Sequence, residues 1–232
     1  NGENKIRQKV VHRDGGIEMA NWLEENKYLV LKAFSDSVNA DMSGGWRGII
    51  EEGDLDFVIY DDGGGIKIFI ANETMSLPLD SIGIEGGTSK TDFIEALEAA
   101  ELIIGYDVAK FDLPLIEHFL EVKIDTLTKD LLSDCIEATE KHYVSKTERI
   151  PLETLYKANK GWRKHINFRP QYLTTLYSRI RDWRRGGTRS VLRSVKFDVF
   201  LITETAQSIY QKNQITFPDK ETGKSISIPH KF

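Results

Sequence analysis

Two aspartates are the residues best placed to do chemistry. Asp112 lies in Phe111-Asp112-Leu113-Pro114, and Asp198 lies in Phe197-Asp198-Val199. The apolar run Leu102-Ile103-Ile104-Gly105-Tyr106 precedes Asp112. A buried strand there would deliver an acid to its carboxyl end, where open α/β sheets bind ligands. Pro114 fixes the turn that presents it. From the residues alone, Asp112 serves equally as a helix cap and as a ligand. Asp198 falls inside a helical pattern between apolar neighbours, so its carboxylate needs an Arg, a Lys or a metal ion.

Other chemistries have less support. His12, His118, His142, His165 and His230 are scattered, with no helical pair and no Cys partner, which argues against zinc. His118 follows Asp112 closely but reads as a helix-surface residue. Gly63-Gly64-Gly65 lacks the Lys and Ser/Thr of a phosphate loop and reads as a hairpin turn. Ser35, Ser37 and Ser194 belong to no His–Asp arrangement. Trp46 and Trp162 follow glycines and read as packing anchors. The single Cys135 excludes an internal disulfide framework and points to a reducing, intracellular, cytoplasmic setting.

Charge is distributed unevenly. The 232 residues include 31 Lys plus Arg and 36 Asp plus Glu, for a net charge of −5. Yet residues 161–196 hold ten basic residues and one acid, Asp182. A basic block in an otherwise acidic chain is the footprint of a polyanion partner. Tyr172, Tyr177 and Trp183 interleave with it, as stacking on bases would require. The alternative is a solvated helix face whose aromatics turn inward. With 40% hydrophobic and 29% charged residues, the composition is that of a globular protein. No apolar run reaches the ~18–20 residues of a membrane span. The start, Asn1-Gly2-Glu3-Asn4, has no signal-peptide core.

These groups need elements to position them. Residues 1–27 read as an N-terminal arm with a short helix near 18–25, and 28–232 as one domain. Strands are expected at 28–35, 56–60, 66–70 and 102–106, with a hairpin turn at 61–65 and one wet face on the third strand. Thr91 or Asp92 would cap a helix running to about residue 101. A second helix would start at Asp112. Beyond Ile124 the pattern is mainly helical, at 126–139, 151–158, 170–183 and 188–212. Two strands flank the turn at 219–223. This order predicts an α/β layered domain.

The segment around Asp112 resembles the second motif of the proofreading-type 3′–5′ exonucleases of the RNase H-like (DnaQ-like, DEDD) superfamily. Their Gly-Phe-Asn and Phe-Asp-x-Pro pattern corresponds to Gly105-Tyr106-Asp107 and Phe111-Asp112-Leu113-Pro114. More narrowly, the chain is similar to the YprB-like predicted exonucleases. Gly44-Gly45-Trp46, Asp125-Thr126-Leu127, Pro151-Leu152-Glu153-Thr154-Leu155 and Phe217-Pro218-Asp219-Lys220-Glu221-Thr222-Gly223 occur in that family's order, across roughly residues 28–229. The resemblance implies a mixed central sheet flanked by helices. It also implies a two-ion site of four acids: an Asp-x-Glu on the first strand, the second-motif Asp and a late-helix Asp. Such ions activate water and stabilise a leaving phosphodiester oxygen.

By that resemblance the site is degenerate. Asp112 and Asp198 match, but Ala33 and Ser35 stand where Asp and Glu belong. Sliding the frame recruits Asp36 and leaves Val38 at the Glu position. Ser194 replaces the Tyr or His one turn before the last Asp. The expected cofactor is therefore none, or weakly held Mg²⁺ or Mn²⁺ on Asp112 and Asp198. The expected function is nucleic-acid binding by a pseudoenzyme with a hydrolase fold. Arg181, Arg184, Arg185, Arg189, Arg193 and Lys196 would contact DNA or RNA phosphates, with Arg189, Arg193 and Lys196 also available as counter-charges to the remnant acids. The alternatives are an active metal-dependent 3′–5′ exonuclease using Asp112, Asp198 and Asp36, and a protein-interaction scaffold. A helicase or polymerase is the kind of protein partner expected; a membrane is not.

Overall fold

Leu29-Val30-Leu31 alternates across both faces of a strand, so all three can leave water only in the middle of a covered sheet. A computed structural model places them there. The structure describes residues 22–36, 54–140, 150–161, 176–219, 222 and 224–232. Strand β1 (Tyr28–Phe34) is joined by β2 (Phe57–Asp61), β3 (Ile66–Ile70) and β4 (Gly87–Thr88) on one side, and by β5 (Leu102–Gly105) and β6 (Leu127–Asp130) on the other, in the order β4-β3-β2-β1-β5-β6. The β1–β2 and β2–β3 pairs are antiparallel; β3–β4, β1–β5 and β5–β6 are parallel. A separate antiparallel hairpin pairs β7 (Gln214–Pro218) with β8 (Ser225–Pro229).

Besides a short N-terminal helix, the helices are α1 (Lys90–Ala99), α2 (Leu113–Leu120), α3 (Leu131–Glu140), α4 (Leu152–Lys160), α5 (Leu176–Arg184) and α6 (Thr188–Lys212). The fold is therefore α/β, with a mixed six-stranded sheet flanked by helices, compatible with the RNase H-like architecture expected. The long α6 packs on β1, β2 and β5, and α4 bridges α6 to β7.

Several expectations are corrected. Residues 127–130 form an edge strand rather than the start of a helix, because β5 pairs with them in parallel register. Strand β3 has no single wet face, since neighbouring Ile68 and Phe69 are both buried. Ser89, not Thr91 or Asp92, caps α1; Asp92 supplies the reciprocal half of the capping box. The N-terminal helix is described at 22–26. Of the 170–183 expectation, α5 begins at Leu176 and the preceding residues lie outside those described.

The turn after β5 carries the site, and glycine makes it possible. A Cβ on Gly105 would overlap the Val108 side chain, because the π-helical turn Val108–Asp112 folds directly back against the strand end. Asp107 enters that turn at φ 63°, a left-handed conformation that Asp tolerates. Asp130 then fastens it. Its carboxylate accepts from the amides of Asp107 (2.9 Å), Ala109 (3.2 Å) and Leu132 (3.0 Å), tying the turn to the β6–α3 junction. Replacing Gly105 by Ala should cost about 1–3 kcal/mol, the usual penalty for overpacking. A lowered urea midpoint with an unchanged slope would register it; an unaltered midpoint would show that the turn can shift.

Candidate functional site

Strand β1 outruns its parallel neighbour. Its last pair with β5 is Val30 with Ile104, so further along β1 the ladder on that side ends. The Asp112 side chain takes over there. Its Oδ1 accepts from the Ala33 amide at 2.8 Å, and its Oδ2 accepts from the Lys32 ammonium at 2.8 Å. Lys32 also donates to the Tyr106 carbonyl at 3.2 Å and sits 5.7 Å from the centre of the Phe111 ring. Asp112 is 0% exposed and Lys32 15% by side chain. Burial pushes the Asp112 carboxyl up to about 6, although Lys32 and the Ala33 amide pull it down. Asp112 makes no side-chain bond that would cap α2. Its carboxylate is used across the sheet instead.

Asp198 finds its own partner. Arg179 Nη1 on α5 donates to its Oδ2 at 2.7 Å, with both side chains largely buried. The counter-charges of the two acids are thus Lys32 and Arg179, and not Arg189, Arg193 or Lys196. Lys32 was detectable in principle, as a cation embedded in an apolar strand. Arg179 was hidden among ten basic residues.

The other expected site residues are placed as follows. Ala33 is buried on β1 beside Asp112. Ser35 is buried and donates to the Asp54 carbonyl at 2.6 Å. Asp36 pairs with other residues: its amide donates to Asp56 Oδ2 at 2.7 Å, its carbonyl accepts from Arg184 at 2.6 Å, and its carboxylate lies 4.0 Å from Arg184 Nε. Asp56 is itself buried, and burial raises its carboxyl to about 6. Ser194 is buried one turn before Asp198 on α6. Val38 and the Gly44-Gly45-Trp46 motif lie outside the described residues.

The basic residues divide into two groups. Arg193 donates to the Ser81 carbonyl at 2.9 Å and Lys196 to the Ile82 carbonyl at 2.6 Å, clasping the 3₁₀ turn Leu79–Ile82 onto α6. Desolvation lowers the Lys196 pKa. Arg181, Arg184, Arg185 and Arg189 are exposed around the α5–α6 turn. Arg184 holds that turn over the end of β1 through its contact with Asp36. Trp183 does not offer a stacking face: it is buried 5.0 Å from Phe34 and 5.5 Å from Phe57 between ring centres. Tyr172 and the Tyr177 side chain lie outside the description.

A pair of divalent ions does not fit these residues. Both oxygens of Asp112 are committed to cationic or amide hydrogens, Asp198 is held by a guanidinium, and Ala33 and Ser35 supply no carboxylate. Among the described residues, no group of three or more His, Cys, Asp or Glu could hold a metal ion. Hard cations need several convergent oxygens.

No protein-family model matches the chain, and no curated protein matches it. Among solved structures, it is similar to the family B DNA polymerase from the hyperthermophilic archaeon Pyrobaculum calidifontis, with 13% identity and a TM-score of 0.40 over 78% of this chain and 24% of that one. The chain thus spans about a quarter of the polymerase's length. It is also similar to a chain in the structure of the yeast NOT1 MIF4G domain co-crystallized with CAF1, with 12% identity and a TM-score of 0.43 over 88% and 87% of the two chains. Both scores are low, and nothing about the chemistry of this chain follows from them. Among the described residues, no helix is long and apolar enough to cross a membrane.

Proposed function

We propose that the chain is an exonuclease-like domain, most similar to the YprB-like group, that has lost phosphodiester hydrolysis and binds the nucleic-acid backbone through the α5–α6 turn. The observation that carries this reading is the buried Lys32–Asp112 pair. The second-motif acid spends its charge on the protein's own ammonium and its remaining oxygen on a strand amide. Each oxygen already accepts a protein hydrogen, and the side chain is 0% exposed to an attacking water. Exposed Arg181, Arg185 and Arg189 support the binding half, because Arg184 anchors their turn beside the end of β1. Guanidinium groups there would grip phosphates without reading bases.

Labelled single- and double-stranded DNA and RNA oligonucleotides test this reading. Affinity should fall with added salt, by a slope of about 0.9 per phosphate neutralised on duplex DNA and about 0.7 on single strands. The double variant Arg185→Glu, Arg189→Glu should reduce the slope by about 1 per arginine removed. No shortening of end-labelled strands is expected with Mg²⁺ or Mn²⁺. A 3′ ladder that Asp112→Asn abolishes would establish an active exonuclease instead. Affinity indifferent to salt would remove the phosphate contacts and leave the interaction scaffold.

A further inference from the structure

We propose that Lys32 and Arg179 are resident cations, permanently seated on the two remnant acids, so that this domain folds and engages polyanions without any divalent metal. The clause about polyanions rests on the function proposed above; the clause about folding does not.

Lys32 immediately precedes Ala33 on β1. By the exonuclease resemblance, this strand should bring two negative side chains to the site. Here it brings one positive side chain and no acid. The ammonium is caged rather than merely near. Asp112 Oδ2 lies at 2.8 Å, the Tyr106 carbonyl at 3.2 Å, and the Phe111 ring on a further side. That set of two oxygens and a π-face satisfies a compact monovalent cation.

Arg179 repeats the arrangement independently, from a different element. Its guanidinium lies 2.7 Å from Asp198, with side-chain exposures of 9% and 18%. Each acid thus has a separate internal counter-ion, with buried Asp107 adding negative charge near Asp112. A dication binding at either acid would have to displace a buried cation and leave that charge unpaired.

Manganese alone is the first probe. In the wild-type chain, paramagnetic resonance should detect no saturable Mn²⁺ site that depends on Asp112. Melting temperature should be the same in EDTA and in Mn²⁺ at matched ionic strength. Lys32→Ala should melt lower and recover about 2–4 °C when Mn²⁺ or propylammonium is supplied. Wild type should recover nothing. A saturable wild-type Mn²⁺ site removed by Asp112→Asn would overturn the proposal, as would a Lys32→Ala variant that neither cation stabilises.

If Lys32→Ala does not fold, Lys32→Gln provides the same comparison, and the wild-type titration remains decisive. Oligonucleotide affinity should be equal in EDTA and in Mg²⁺ at matched ionic strength, and binding that requires Mg²⁺ would overturn the proposal. A chain that binds no oligonucleotide would defeat the nucleic-acid reading, and the manganese arms would still decide the role of the cations.

Discussion

Replacing Lys32 by Met should destabilise the domain by about 3–5 kcal/mol at neutral pH, the usual cost of stranding one member of a buried ion pair. The remaining Asp112 carboxylate is 0% exposed and would retain only the Ala33 amide from its present hydrogen-bond partners. The loss should shrink on acidification, because a protonated carboxyl no longer needs an ammonium. Urea midpoints of wild type and Lys32→Met, measured at about pH 7 and again near pH 4.5, check both parts. A penalty that is small, or that does not change with pH, would mean that water reaches Asp112 in place of the lysine. Replacing both Lys32 and Asp112 with Met should be milder than Lys32→Met alone, since no buried charge is left behind.

The wild-type chain itself should become more stable as pH falls from about 7 toward 4.5, opposite to the usual behaviour of paired carboxylates. Burial raises Asp112 from its ordinary 3.8 to about 6. The folded state therefore holds that proton more tightly than the unfolded chain. The associated stability is complete below about pH 3.8 and is lost as pH climbs through about 6. A shift of this size corresponds to roughly 3 kcal/mol. Asp56, also raised to about 6 by burial, acts in the same direction. The Asp112→Asn variant isolates the contribution: its midpoint-versus-pH profile should be flatter over this window. A profile parallel to wild type would show that Asp112 does not titrate there.

These two effects centre on a pairing that local pattern could not reveal. The strands around Leu29-Val30-Leu31 and Leu102-Ile103-Ile104 were legible because continuous apolar runs bounded by turns have few other solutions. Helix α6 was legible over its whole length for a related reason: its 25 residues keep an apolar stripe without Pro or Gly. Strand β6 was not. Leu127-Thr128-Lys129-Asp130 has weak strand character, and Leu127, Leu131 and Cys135 mimic a helical repeat. Leu127 is in fact 71% exposed, and the segment is a strand because β5 offers it an edge.

The site divides in the same way. The oddity of Asp112 could be read from its setting between a buried strand and a proline. Its partner is 80 residues earlier in the chain, and that of Asp198 is 19 residues earlier. Which of ten neighbouring cations turns inward is decided by packing, and Trp183 shows the same point for an aromatic side chain. Arg193 and Lys196 looked like phosphate contacts because their charge was visible and the carbonyls they hold were not.

The packing of α6 on β1 also constrains how the domain comes into being. The start of that helix follows the start of that strand by about 160 residues. Contacts so remote in sequence incur their loop-closure entropy before they contribute any cohesion, which slows folding. During synthesis, the apolar faces of the nascent sheet that α6 will cover must wait, exposed, until α6 itself has emerged from the ribosome. A product truncated before Thr188 should therefore behave as a sticky, chaperone-bound intermediate rather than as a smaller native domain.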